Sequence, residues 1–228
     1  MDVPDTVAID GPAASGKSTI ANQLAEDWGY LFFDTGVMYR AVTWIAIRDG
    51  LSTKDETRVT RLAEQVQIDV EPPSKDDGRD YDVLVDGEDV TWEIRKAKVD
   101  SKVSRVSAYP GVRAALTRQQ RRIGLRGKVI MVGRDIGTVV LPEADLKIYL
   151  DASVEERARR RYLQRRERGE KVDFVKILKT LRKRDKIDST REVAPLKAAA
   201  DAVIINTDNL SVPEVIQRIK DHAARRQV

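Results

Sequence analysis

The sequence predicts an α/β fold: a five-stranded parallel sheet flanked by helices, with a small antiparallel β insertion. Three observations carry that expectation. Five short apolar runs, at residues 7–9, 30–33, 128–132, 146–150 and 202–205, have the length of buried strands and alternate with segments of helical spacing. Between residues 66 and 90 the pattern changes to alternation around turn-rich stretches, which reads as a meander and not as a strand–helix–strand unit. The first apolar run also leads through a glycine-bounded turn straight into a helix, as a parallel crossover requires.

Taken in order, Val7-Ala8-Ile9 opens the sheet. A helix follows the turn, with Ile20, Ala21, Leu24, Ala25 and Trp28 on one face and Gly29 as its stop. The second run ends in Asp34-Thr35-Gly36. The next helix carries Met38, Tyr39, Val42, Ile45 and Ala46 on one side, has Arg40 about a turn from the strand end, and stops at Asp49-Gly50. Thr53-x-x-Glu56 has the form of a capping box for a helix reaching about residue 64. In the insertion, Val66, Ile68 and Val70 alternate. A Pro/Asp/Gly-rich turn covers residues 71–80, then Tyr81, Val83 and Val85 alternate and Asp86-Gly87 turns before Val90.

Helical patterns occupy residues 94–106 and 110–125, with Pro110 suited to a first helical position. The third strand is followed by Gly133-Arg134-Asp135-Ile136-Gly137-Thr138. Ser153-x-x-Glu156 caps a long arginine-rich helix that Gly169 ends. A second basic helix is expected at residues 173–186. Ser211-x-x-Glu214, with Pro213 inside, opens the last helix.

At 228 residues and 41% hydrophobic, the chain has enough apolar content for one α/β domain with an insertion, or two small domains. A third of it is charged and no run of about eighteen apolar residues occurs, so no membrane span is expected. The first residues lack a basic stretch followed by an apolar one, so no secretory leader is expected. Cysteine is absent, which excludes disulfides and thiolate metal sites and fits a cytoplasmic protein. The single histidine, His222, lies near the end, which argues against imidazole acid–base chemistry and histidine-ligated metal.

Net charge is +4, but residues 155–191 hold 15 Lys/Arg against 7 Asp/Glu, which points to a local anionic partner. Only Tyr162 and Phe174 interleave those charges. A single-stranded nucleic-acid binder stacks bases on several aromatics, so no nucleic-acid partner is expected.

The chemistry begins at Gly11-Pro12-Ala13-Ala14-Ser15-Gly16-Lys17-Ser18-Thr19, a full G-x-x-x-x-G-K-[ST] pattern between strand and helix. The glycines let several N–H groups converge on one anion, and the helix start adds its positive dipole end. Lys17 supplies a point charge to the outer phosphates and Ser18 a hydroxyl for Mg²⁺, with Thr19 behind it. The sequence therefore predicts a P-loop core that binds a nucleoside triphosphate. Guanine-specific switch proteins also carry N-K-x-D after a late strand. Here Asn206-Thr207-Asp208-Asn209 stands there and does not fit.

Arg40, Arg134, Arg157, Arg160, Arg161, Arg184 and Arg191 all follow or flank the carboxyl edge of the sheet, where ligands of such sheets bind. Arginine offers planar, bidentate donors to phosphate oxygens. Phosphoryl transfer between two nucleotides needs such charge neutralisation, and positioning more than covalent chemistry. A phosphate acceptor, with a second pKa of roughly 6, is already anionic and needs no general base; an Asp base for an alcohol acceptor is the alternative.

Several ordered segments then resemble one family nearly end to end. IDGPAASGKST, DTGVMYR, GEDVTWEIR, VS-x-VSAYPGVR, GRDIGTVV, DASVEERA-x-RR and D-x-x-R-x-VAPL are similar, in that order, to the bacterial cytidylate kinases of the nucleoside monophosphate kinase family. The resemblance implies a core at residues 1–65 and 91–228, a monophosphate-binding insertion at 66–90, and an arginine-rich helical lid at about 157–171. It also implies the reaction: the γ-phosphoryl group of ATP passes to CMP or dCMP with Mg²⁺. A monomer is expected.

Roles follow by similarity. Gly16, Lys17, Ser18 and Thr19 hold the ATP phosphates and metal. Arg40, Arg134 and Arg191 grip the acceptor's phosphate, near Thr35. Ser104, Arg113 and Asp135 read the cytosine edge. Arg184 and Asp188 contact the sugar, and Arg157 and Arg161 close over the transferring group. The base assignment has a physical ground: a carboxylate takes cytosine's amino group but repels the carbonyl that uracil presents there. Many relatives carry an acid before Gly-Arg-Asp, where this chain has Val132. Asp34 or Asp10 then substitutes, or ATP and water supply the remaining Mg²⁺ ligands.

Overall fold

The computed structural model describes residues 3–167 and 169–225. The ends of the expected core, and residue 168 of the expected lid, therefore lie outside the described residues. The strands are β1 (Thr6–Asp10), β2 (Leu31–Asp34), β3 (Ile68–Glu71), β4 (Asp82–Val85), β5 (Glu88–Asp89), β6 (Val129–Gly133), β7 (Leu146–Asp151) and β8 (Val203–Asn206). The helices are α1 (Lys17–Trp28), α2 (Gly36–Arg48), α3 (Glu56–Gln65), α4 (Ala97–Val106), α5 (Pro110–Gly124), α6 (Val154–Glu167), α7 (Phe174–Thr190) and α8 (Val212–Arg225).

Five strands form one sheet in the order β2-β6-β1-β7-β8, every neighbouring pair parallel, as the alternating pattern predicts. β1 is central. Val7, Ala8 and Ile9 are fully buried because helices cover both faces of the sheet, so the strand reads as continuous apolar sequence. The parallel register brings Asp10 level with Gly133 of β6, and Asp34 of β2 level with Val132. All five strands therefore end on one edge, and the turns after β1, β2 and β6 lie side by side.

The insertion is a separate antiparallel sheet, β3-β4-β5, with Ile68 paired to Val85 and Val70 to Val83. Its apolar side chains pack inward, and Tyr81 meets Phe32 of β2 edge to face at 5.4 Å. Gln119 of α5 ties it down, accepting from Ile68 N at 2.7 Å and donating to Val66 O at 2.9 Å. The Arg79 guanidinium is nearly inaccessible and is held by Asp77, Asp82 and Asp89. Hydrogen bonds from Arg79 hold the carboxyl groups of Asp77 and Asp89 well below the usual range.

Local structure differs from expectation in four places. The cap of α3 is Asp55, whose side chain accepts from Arg58 N at 3.1 Å, and not Thr53; the carboxylate stands one residue before the first helical position. The helix expected at 94–106 is split, a short 3₁₀ turn at Glu93–Arg95 preceding α4. The second basic helix runs on to Thr190. A π-helical turn, Ile136–Val140, follows Gly-Arg-Asp, where the sequence shows no helical periodicity. Among the described residues no helix is long and apolar enough to cross a membrane.

Candidate active site

The turn between β1 and α1 is built for close approach of an anion. Gly11 has φ +147°, and a Cβ there would stand 2.1 Å from the Leu150 carbonyl oxygen of β7. Ala14 (φ 62°) and Gly16 (φ 93°) also adopt left-handed backbone, which turns the loop's amides to one side. Lys17 folds over this turn. Its Nζ donates to Pro12 O at 2.6 Å and Ser15 Oγ at 3.3 Å. Burial, then the nearby charge of Arg134, pushes the ammonium well below its ordinary value, so an arriving phosphate meets an under-compensated cation.

A cluster of arginines and carboxylates stands one strand away. Arg113, reaching from α5, donates Nη2 to Asp135 Oδ2 at 2.7 Å, both residues buried. Arg191, capping the end of α7, reaches the other Asp135 oxygen at 3.4 Å. Arg134 Nε donates to Asp188 Oδ2 at 3.0 Å, and Arg184 and Arg191 lie 3.9 Å from the Asp188 carboxylate. Four guanidiniums thus share two carboxylates. The surplus of two positive charges is that of the counter-ion set for one phosphate dianion. Burial works against the Arg113 cation, but Tyr39 and Asp135 outweigh it and hold it above its ordinary value. Its Nε is buried without a hydrogen-bond partner.

The remaining expected residues make other contacts. Arg40 pairs with Asp100 and donates to Ile94 O at 3.3 Å, while its charge still reaches Arg184. Thr35 spends its hydroxyl on Val132 O at 2.9 Å. Ser104 is exposed on α4; its carbonyl accepts from Ser107 Oγ, and the Ser107 carbonyl accepts from Arg113. Arg161 lies on the exposed side of α6 and donates to Gln164 at 2.7 Å.

Arg157 turns inward from α6. It is buried, donating to Ala152 O, to Ala13 O of the phosphate turn at 3.1 Å, and to both oxygens of Asp185 at 3.0 and 2.6 Å. It therefore links α6, the turn and α7.

Two contributors, Asp185 and Thr207, carry no sign in the sequence of the contacts they make; Arg160 is among the expected arginines. Asp185 receives Arg157. Arg160 grips Thr207 by Oγ1 and carbonyl at 3.0 and 2.6 Å, and its Nη1 lies 3.8 Å from where a Gly16 Cβ would be. Thr207 in turn reaches Ser15 O at 3.4 Å. Its place just past β8 was the available signal, since strand ends line this edge.

Ser18 Oγ lies 3.2 Å from Asp34 Oδ2, one hydroxyl and one carboxylate beside the turn. Among the described residues no group of three or more acidic or histidine side chains gathers to hold a metal. This sparse oxygen set fits Mg²⁺, which keeps waters and takes phosphate ligands, and no ion that demands an all-protein cage. Asp34 stands level with Val132 on the neighbouring strand, so a carboxylate occupies this height of the sheet although Val132 has none. Asp10 is otherwise engaged: both its oxygens accept from backbone amides.

A glycine-built turn on the central strand, with an arginine cluster at the same edge of a parallel sheet, is the arrangement of a P-loop phosphotransferase. Comparison with known proteins narrows the class. The family model described as "Cytidylate kinase" matches residues 7–225, and the chain belongs to that family. Cytidylate kinase of Herpetosiphon aurantiacus is 49% identical over 219 residues, covering 96% of this chain and 94% of the relative. That of Chloroflexus aggregans is 51% identical over 216 residues, covering 95% and 92%. Among solved structures, an uncharacterized protein from Eubacterium ventriosum superimposes with TM-score 0.50 at 11% identity, covering 96% of this chain and 97% of its own, a likeness of fold alone.

Proposed function

We infer that this protein transfers the γ-phosphoryl group of ATP to CMP or dCMP, giving ADP and CDP or dCDP. Family membership carries the reaction. The observation that supports its local form is the cluster of Arg113, Arg134, Arg184 and Arg191 around Asp135 and Asp188. An incoming phosphate dianion replaces the missing negative charge there.

The residue roles are our reading. The backbone N–H groups of the turn at residues 11–16, Pro12 excepted because it has none, and Lys17 hold the donor phosphates, with Thr19 behind them. Mg²⁺ would be held by Ser18 and Asp34 and would neutralise charge on the outer phosphates. Arg134, Arg184 and Arg191 hold the acceptor phosphate so that one oxygen faces the γ-phosphorus in line. That oxygen forms the new P–O bond as the bond to the bridging oxygen breaks and ADP leaves. The acceptor oxygen is already anionic, so no side chain removes a proton. Asp135 accepts from cytosine's amino group and Arg113 donates toward its N3 and carbonyl. Asp188 and Arg184 meet the sugar, and Arg40 and Thr35 border the phosphate.

Arg161 approaches from α6, whereas Arg157, bound to Ala13 O and Asp185, acts by holding the turn against α7. In the same reading the insertion at 66–90 closes on the monophosphate and residues about 157–171 close over the donor. The enzyme is a magnesium-dependent, cytoplasmic monomer acting on free nucleotides and not on nucleic acid. The cysteine-free composition supports that compartment.

The test is ADP release with Mg-ATP and each of CMP, dCMP, UMP, AMP and GMP. Turnover confined to the cytidine nucleotides is expected. Turnover spread equally to UMP would overturn the assignment of the base pocket, and hydrolysis without acceptor dependence would overturn the transfer itself.

A further inference from the structure

We propose that Asp10 is a positioning residue for the acceptor nucleotide, clamping the backbone that follows Arg134 and Asp135 and so aiming both side chains. Asp10 ends β1 and is 3% exposed. Its Oδ1 accepts from Ile136 N at 2.8 Å and its Oδ2 from Gly137 N at 2.7 Å. Two consecutive amides on one carboxylate fix a peptide plane as a bidentate clamp does, and the charge makes each bond stronger than a neutral one.

Those amides open the π-helical turn, and Asp135 immediately before it has φ −150°, outside helical geometry. The chain therefore changes direction between the two residues that face the acceptor and the two that Asp10 holds. Gly133 leaves no slack on the other side: a Cβ there would stand 2.5 Å from Ile136 Cδ1 and 2.9 Å from Thr35 Oγ1. The Lys147 stem closes over Gly137, its methylenes 3.3 Å from the position of a Gly137 Cβ.

A buried carboxylate is a costly way to satisfy two amides. Asp10 sits where that cost is matched by function, directly before Gly11 of the phosphate turn and level with Gly133 of the acceptor loop. One carboxylate thus sets the spacing between donor and acceptor sites without touching either substrate.

The proposal rests on the reading that Arg134 and Asp135 hold CMP, so the experiment separates the two. Asp10→Asn keeps the shape but turns an NH₂ toward one of the amides. In the full-length enzyme, KM for CMP should rise about tenfold, the equivalent of one lost charge-assisted hydrogen bond. Preference for CMP over UMP should fall with it, while KM for ATP stays within about twofold. A merely structural role would lower the melting temperature and leave that split unmoved. Unchanged CMP kinetics in folded Asp10→Asn would overturn the proposal. Asp135→Asn, assayed beside it, locates the fault: if it also keeps full CMP preference, the base reading has failed as well. Hydrogen exchange on the wild-type enzyme without nucleotide is independent of any variant. Ile136 and Gly137 amides should be as protected as those of β6, and exchange at the rate of exposed turns would overturn the clamp.

Discussion

Arg134 and Asp188 are joined across the arginine cluster by a 3.0 Å hydrogen bond from Nε to Oδ2, and Arg134 Nη1 donates to the Gly133 carbonyl at 3.3 Å. The guanidinium is thereby oriented before any substrate arrives. Preorganised cations of this kind act mainly on the transition state. Arg134→Ala should lower kcat by about 10³-fold, as loss of a charge-stabilising arginine does in phosphoryl transfer, with a smaller change in KM for ATP. Steady-state kinetics decide it; near-normal turnover would remove Arg134 from the site.

Asp135→Asn should admit UMP. The amide offers a donor to the uracil carbonyl and loses the charge that attracts cytosine's amino group, while Arg113 loses its buried partner. Discrimination between CMP and UMP should fall by about 10- to 100-fold. Competition assays with both nucleotides measure it.

Arg157→Ala should unfold the link between the phosphate turn and α7. It strands Asp185 and leaves the carbonyls of Ala13 and Ala152 without their donor. Breaking such a pair by removing one partner costs about 3 kcal/mol, read as a lower denaturation midpoint. If the variant is fully stable, the arginine is not a structural clamp.

Gly11→Ala should abolish ATP binding. The added methyl would overlap the Leu150 carbonyl oxygen at 2.1 Å, in backbone that only glycine adopts without strain. Fluorescent nucleotide titration should show no saturable binding, while circular dichroism keeps its α/β signature.

Stability should depend on pH through Asp10. Burial raises its pKa from 3.8 to about 6, against the pull of its two amides. The folded state therefore holds a proton that the unfolded state has released between those values. This group's contribution to stability is full below the unfolded value and falls as pH rises toward 6 and beyond, by about 3 kcal/mol. Asp10→Asn should flatten that part of the denaturation profile. An unchanged profile would mean that Asp10 is ionised without penalty.

What could be read before the fold was seen divides by how local the physics is. Gly11, Gly16, Lys17 and Ser18 announce their geometry because the turn is built from contiguous residues. Arg134 and Asp135 were nominated by their place after a strand, and the fold does bring them to Arg113, Asp188 and Arg191. The bond of Arg157 to Asp185 was not legible: the two lie on different helices, and an arginine in a basic helix looks the same whether it faces solvent or a buried carboxylate. Asp10 was harder still, since its partners are backbone amides 126 and 127 residues away and amides carry no sequence signature. The cap of α3 fell between Thr53 and Asp55, both residue types that cap helices, and the start of the helix chose the stronger one.

The knot around Arg79 has a mechanical consequence. In a chain without cysteine, one guanidinium cross-links the long turn at Asp77 to β4 at Asp82 and to β5 at Asp89, with the Trp92 indole also donating to Asp77 at 2.9 Å. The insertion is thus braced at its far side as a staple would brace it, yet indifferent to redox conditions. A braced plate does not bend. Its other edge is held to the core by Gln119, Arg122 and Arg126 of α5 and the turn after it, so the two ends of this small sheet are fixed by different means: a buried ion cluster on one side and side-chain bonds to the core on the other.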